Sequence, residues 1–179
     1  SVKINDRPSA FRYPRGNGIG VELPGIDKIL EIGKARIIKE GKNVAILNFG
    51  ARLYECQKAS EILSTKGINV TIIDARFAKP LDEKLIMEIA NNHEVVISIE
   101  EGSIGGFGSH VMQLLSERGF FDKGLKFRSM ILPDIFIDQD NPDKMYEKAG
   151  LDSQSIVRKV ESTLDSNVIL ASNKNKSSN

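Results

Sequence analysis

Residues Asn43–Ile73, NVAILNFGARLYECQKASEILSTKGINVTII, decide the fold. Asn43–Asn48 is a short apolar run of the kind that forms a buried strand, and Phe49-Gly50 closes it. Across Ala51–Lys66, Leu53, Cys56, Ala59, Ile62 and Leu63 recur on one face, the period of an amphipathic helix. Gly67 suits the left-handed position that ends such a helix. Ile68–Ile73 then reads as a second buried strand. Two strands joined through a helix of this length need a crossover, so they are predicted to lie parallel.

Outward from this unit the alternation repeats. Downstream, Asp74–Pro80 is a loop, and Asp82–Asn91 is a helix with Leu85, Ile86 and Ile89 inward and Asp82 placed to cap it. Glu94–Glu100 is a third such strand, Glu101–Gly108 a Gly-rich turn and Ser109–Glu117 a helix. Phe127–Leu132 is a further strand, ended by Pro133-Asp134, and Asp143–Ala149 and Ser153–Leu164 are helices. Upstream, Gly33–Ile38 forms a strand joined to the next by the tight charged turn Lys39–Lys42. It is predicted to be an antiparallel edge. The expected class is therefore α/β, a three-layer, five-stranded, mostly parallel sheet with one antiparallel edge strand. Ser9–Tyr13 reads as a short strand leading into the loop Pro14-Arg15-Gly16-Asn17-Gly18. Residues 1–24 do not fit the unit and are assigned to the end of a preceding domain and a linker. The α/β domain takes residues 25–165. The polar segment 166–179 is expected to be a disordered tail.

Composition narrows the function classes. The 179 residues carry 25 Lys plus Arg against 24 Asp plus Glu, a net charge of +1. That balance gives no footprint for nucleic acid or an anionic membrane. One Cys excludes an intrachain disulfide framework, and two distant His leave little for a metal cluster. No apolar run reaches the roughly 18–20 residues of a membrane span. Lys3, Asp6 and Arg7 interrupt any signal-like stretch, so a cytoplasmic location is expected.

In open parallel sheets ligands bind at the carboxyl ends of the strands. There the run Gly106-Phe107-Gly108-Ser109-His110-Val111 lacks the third glycine of a dinucleotide loop, and no Gly-Lys-Ser/Thr follows. The helix start favours an anion, but Glu100 and Glu101 oppose a phosphate; an architectural turn and an anion or interface role both stand. As extended neighbours the two glutamates point to opposite faces, one solvated and one bonded to the Gly-rich loop. His93 and His110 read as surface residues and Cys56 as a small core residue. In Asp74–Asp82, Arg76 or Lys79 could hold an anion, or Arg76 could pair with Asp74 or Asp82 to fix the loop. Arg15 stands between Pro14, with its fixed φ, and Gly16, which permits close backbone approach. A guanidinium there can bind a phosphate or carboxylate through two parallel hydrogen bonds; a plain surface turn fits equally.

Taken in order, Arg12-Tyr13-Pro14-Arg15-Gly16-Asn17, Ala45–Gly50, Asp74-Ala75-Arg76-Phe77, Lys79-Pro80-Leu81-Asp82, Glu100-Glu101, Gly105-Gly106 and Leu132-Pro133-Asp134 resemble the 1-deoxy-D-xylulose-5-phosphate synthases. The resemblance runs from about Pro8 to Leu164. Several of these elements are shared with transketolases and 2-oxoacid dehydrogenase beta subunits, while the first and last point to the synthase. The resemblance implies the third, transketolase C-terminal domain-like domain of a three-domain transferase. Such an enzyme uses thiamine diphosphate and Mg2+ to condense pyruvate with glyceraldehyde 3-phosphate, with loss of CO2. The product serves isoprenoid and thiamine biosynthesis. It implies that the cofactor and metal sites belong to upstream domains, so this chain alone is expected to be inactive and to bind neither. It implies that Arg15 holds the phosphate of glyceraldehyde 3-phosphate, that Arg12 is structural, and that partners are the upstream domains and a second copy in a homodimer. The other readings are the C-terminal part of a transketolase or 2-oxoacid dehydrogenase beta subunit, and a stand-alone anion-binding or assembly module.

Overall fold

The structure, a computed structural model, describes residues 4–14, 18, 20–22, 25 and 28–176, with side chains to Asp165. The chain divides into two compact units, Ser1–Leu30 and Glu31–Asn179. In the first unit, residues 8–14 form no strand. This corrects the strand expected over Ser9–Tyr13: an extended run needs a neighbour to take its backbone N–H and C=O groups, and no sheet pairing includes it.

The second unit is built on five strands: β1 (Arg36–Lys39), β2 (Asn43–Phe49), β3 (Thr71–Asp74), β4 (His93–Glu100) and β5 (Lys126–Met130). Their order is β1-β3-β2-β4-β5. β2 lies between β3 and β4, parallel to both, with Leu47 level with Ile73 on one side and Ser98 on the other. β4 and β5 are also parallel, while β1 runs antiparallel to β3. The mixed sheet with one antiparallel edge is thus as expected. The partner of β1 is less obvious, because the tight turn after it leads to β2 yet β1 pairs with β3. Gly41 explains the detour: a Cβ there would run into the backbone of Val70, so the turn crosses closely under the start of β3.

The helices are α1 (Leu53–Thr65), α2 (Glu83–Asn92), α3 (Phe107–Glu117), α4 (Pro142–Lys148) and α5 (Ser153–Lys176). The period of 2 along β2 sorts them into layers. Val44 and Ile46 face one side, packed with Cys56, Leu63, Ile156 and Val160 of α1 and α5. Ala45 and Leu47 face the other, packed with Ile86 and Ile89 of α2 and Val111 and Leu115 of α3. α1 ends as its sequence demands. Gly67 takes φ 78°, its amide bonds to Ser64 O at 3.0 Å, and Ile68 N reaches Leu63 O at 2.9 Å, the paired closure that a left-handed glycine makes. Asp82 caps α2, accepting from Leu85 N.

Two elements differ from the sequence reading. A 3-10 turn at Phe121–Lys123 was not expected. α5 continues past Leu164 to Lys176, so the backbone of residues 166–176 is helical where the polar composition predicts disorder. A helix already nucleated and packed elongates at low cost, one hydrogen bond per residue fixed.

Candidate functional site

The strand order has one point where connections leave in opposite directions. From β2 the chain passes through α1 to β3, and from β4 through α3 to β5 on the far side. The crevice between the carboxyl ends of β2 and β4 is therefore the place where a sheet of this class receives a ligand. Both loops that border it come from the stretches singled out in the sequence.

β4 ends in Glu100, which is only 2 % exposed. Its Oε1 accepts from Gly108 N at 2.8 Å. Gly102 and Gly106 pack against the same carboxylate, and a Cβ on either would press into it. Gly106 is the N-cap of α3. The free amides and positive dipole end of α3 thus take a negative group, and that group is the chain's own. This is the architectural role of the Gly-rich loop: glycines let the backbone close around a buried carboxylate. The expectation that one glutamate bonds this loop holds for Glu100.

Glu101 corrects the other half of that expectation. It is not solvated but forms an ion pair with Arg52 at 2.7 Å, the two side chains 21 % and 14 % exposed. Arg52 is the N-cap residue of α1, just after β2. The pair therefore bridges the crevice from the β2 side to the β4 side. Tyr146 of α4 lies under it, with the Arg52 guanidinium carbon 3.6 Å from the ring centroid. Burial, then the hydrogen bond the phenol donates to Glu101, hold the Tyr146 pKa above the ordinary phenol value. Neither Arg52 nor Tyr146 stood out in the sequence; only the strand order, which brings residues 52 and 101 together, reveals them.

Asn48, at the end of β2, is fully buried. Its Nδ2 donates to Gly50 O at 2.9 Å and its backbone oxygen accepts from Ala75 N at 2.8 Å. It fastens the end of β2 to β3. Cys56 faces the same core as expected, and burial pushes its thiol up to about 12.

The charged loop after β3 is fixed by other partners than expected. Asp74 pairs with Arg36 of β1 at 2.9 Å. Arg76, at φ 56°, donates to Ala35 O at 3.1 Å. Asp82 accepts from Ala35 N at 3.1 Å. The expected Arg76 ion pair with Asp74 or Asp82 is replaced because the antiparallel β1 brings Arg36 and Ala35 within reach first. Lys79 is exposed.

His93 also departs from the sequence reading. It is partly buried, with Nδ1 2.9 Å from Ile89 O and Nε2 2.8 Å from Thr71 Oγ1. A carbonyl can only accept, so Nδ1 carries the proton and Thr71 donates to Nε2. Thr71 Oγ1 in turn accepts from Gly41 N at 3.0 Å. His93 thus secures the amino-end turn of the sheet. His110 is exposed. Arg12 is exposed, and Arg15 lies outside the described residues.

The described residues do not fit thiamine diphosphate or Mg2+. The amides that could cradle a diphosphate hold Glu100, whose charge opposes a second anion. Among the described residues no group of three or more His, Cys, Asp and Glu is placed to hold a metal ion. No described helix is long and apolar enough to cross a membrane.

Comparison with known proteins agrees with the fold. The family model described as transketolase, C-terminal domain, matches residues 33–156. A split gene transketolase, described as an inactive beta4 tetramer, is similar at 30% identity and a TM-score of 0.70, covering 79% of this chain and 46% of that one. A transketolase from Campylobacter jejuni subsp. jejuni NCTC 11168 shares the fold at 16% identity and a TM-score of 0.53, covering 73% of this chain and 18% of that one. The chain thus spans less than half the length of either.

Proposed function

The chain belongs to the transketolase C-terminal domain family, and from that premise we propose that it is the C-terminal part of a 1-deoxy-D-xylulose-5-phosphate synthase. The full enzyme condenses pyruvate with glyceraldehyde 3-phosphate, using thiamine diphosphate and Mg2+ held elsewhere in the assembly. The observation that carries the reading is the stretch Arg12-Tyr13-Pro14-Arg15-Gly16-Asn17 upstream of the matched domain, with Leu132-Pro133-Asp134 after β5. Arg15 holds the phosphate of the aldehyde substrate. Energy from that remote contact is used to orient the reacting carbonyl. The α/β domain supplies support and assembly. The self-filled crevice, with Glu100 at the helix start and Arg52–Glu101 across the strand ends, favours this role over ligand binding. The parent enzyme works in the cytoplasm as a homodimer.

A second reading, the C-terminal part of a transketolase, is favoured by the 30% identity to a split gene transketolase. Assay of the full-length protein separates the two. Release of CO2 from pyruvate, dependent on glyceraldehyde 3-phosphate, supports the synthase. Two-carbon transfer from a ketose phosphate without CO2 release replaces it with the transketolase. In the synthase, Arg15→Ala raises KM for the phosphorylated aldehyde at least tenfold, in line with loss of a charged hydrogen bond of about 1.5–3 kcal/mol. Affinity for thiamine diphosphate stays unchanged. A fall in cofactor affinity alone would remove Arg15 from the substrate site.

A further inference from the structure

A groove opens on the second unit where the carboxyl end of β5 meets α5. It shares no lining residue with the crevice between β2 and β4. Among the described residues β5 pairs with β4 alone, and α5 packs on α1 and β4, so the end of β5 keeps an open side. The groove holds about 540 Å³, within the roughly 300–1,000 Å³ of small-molecule sites.

Its two walls differ in chemistry. Met130, Ile131 and Pro133, at the end of β5 and just beyond it, make an apolar wall. The other wall is one face of α5, where Ser155, Arg158, Lys159 and Ser162 recur at helical spacing. No Asp or Glu lines the groove. The acids nearest in sequence are engaged or placed elsewhere. Asp152 accepts from Gln154 N and Ser155 N at the start of α5. Glu161 pairs with Lys66. Asp134 is exposed beyond Pro133 and is outside the lining.

The cationic wall is held in place from below. Ser155, only 9% exposed, donates its hydroxyl proton to Asp152. Its oxygen is left to accept, and Arg158 Nη2 donates to it at 2.7 Å. The guanidinium is thereby positioned by a neutral hydroxyl, and no carboxylate neutralises it among the described residues. Lys159 is half-buried, and its ammonium has no ion pair or hydrogen bond among them. Adjacent cations without a counter-ion, in a groove free of acids, make a positive potential that selects an anion. A single carboxylate is satisfied by one guanidinium fork. A phosphate ester carries up to two charges and three terminal oxygens, enough for the guanidinium and the ammonium together. The apolar wall opposite suits the carbon body of such an ester.

We propose that this groove binds a small organic phosphate, with Arg158 and Lys159 on the phosphate and Met130 and Pro133 against the carbon body. The site is separate from Arg15 and stands whichever transketolase-type reaction the full enzyme performs.

The experiment titrates phenyl phosphate into the isotope-labelled 179-residue chain at low salt and follows the amide resonances by NMR. Saturable shifts confined to residues 129–133 and 149–162 are expected, with Kd at about 1 mM or below. Lys159→Ala and Arg158→Ala each weaken binding at least tenfold and leave the resonances of β2 and α1 in place. Arg15→Ala leaves the affinity unchanged. Inorganic phosphate binds more weakly, and phenol alone does not bind. Shifts that never saturate, or that scatter over exposed lysines, overturn the proposal. So does an affinity that neither α5 variant changes. Binding lost in Arg15→Ala but kept in Lys159→Ala places the phosphate in the first unit, which overturns the groove and leaves the substrate role of Arg15 standing. Inorganic phosphate binding as tightly as phenyl phosphate overturns the role given to the apolar wall.

Discussion

Glu100 shows how a single side chain can settle the meaning of a motif. A glycine-rich turn before a helix is ambiguous in a sequence, because the same backbone suits an external phosphate or an internal acid. The buried carboxylate bonded to Gly108 N resolves it. The fit is tight enough to test by a double-mutant cycle in urea. Gly106→Ala forces a methyl into the carboxylate and is expected to cost about 1–3 kcal/mol. Glu100→Ala leaves a buried amide unpaired, at about 1–3 kcal/mol. The double variant is less destabilised than the sum, because removing the carboxylate removes the clash; additive costs would show that the two do not meet. Cys56 makes a second prediction. With its thiol at about 12, it stays protonated and unreactive to iodoacetamide at pH 8 until the chain unfolds, and mass spectrometry of the treated protein reads this directly. A thiol whose folded pKa lies above the unfolded one contributes its full stability below the unfolded pKa. That contribution drains away as pH rises toward 12.

At the level of elements, most of the architecture could be read from periodicity. The helices with apolar stripes and the strands with continuous apolar runs are strong local signals, and Gly67 and Asp82 mark helix ends by mechanism. What could not be read was pairing. Nothing local says that β1 skips β2 for β3, that Asp74 meets Arg36 rather than Arg76, or that Arg52 meets Glu101 across 49 positions. Those contacts follow from strand order, a long-range property. α4 illustrates the point, since no residue of this helix is fully buried. Tyr146 packs under the Arg52 guanidinium at the start of α1 and, with Ala149, against the core beneath. Tyr146→Ala is therefore expected to speed amide exchange across residues 142–148 at least tenfold while leaving α1 and β2 protected. Tyr146→Phe keeps the stacking and loses only the bond to Glu101, so exchange rises by a smaller factor. Uniform loss of protection in every element would contradict the anchoring role.

For the whole molecule, the sequence conveyed the broader family before it conveyed the chemistry. The ordered motifs resemble a 1-deoxy-D-xylulose-5-phosphate synthase, and the match over residues 33–156 supports the transketolase C-terminal domain within that reading. The substrate residue proposed from those motifs, Arg15, lies outside the described residues, so its geometry stays with the sequence argument. In the described site Arg52 pairs with Glu101 and Glu100 accepts from Gly108 N, which supports the proposed role of a supporting domain. The 179-residue chain, supplied with thiamine diphosphate, Mg2+, pyruvate and glyceraldehyde 3-phosphate, is accordingly expected to release no CO2 above background; measurable turnover would contradict the proposed division of labour.

The detour of β1 has a consequence for the order in which the chain can acquire its shape. β1 finishes at Lys39, but its strand partner among the described residues, β3, finishes at Asp74. A nascent polypeptide emerging from the ribosome must therefore hold an unmated edge strand, carrying Arg36 and Lys39, in waiting while a whole crossover unit is made behind it. Closing a longer loop is slower but only modestly costlier than closing a short one. The first strand of this sheet to be made is thus among the last to be secured, and Arg36 and Lys39 help keep it from pairing prematurely with a neighbour.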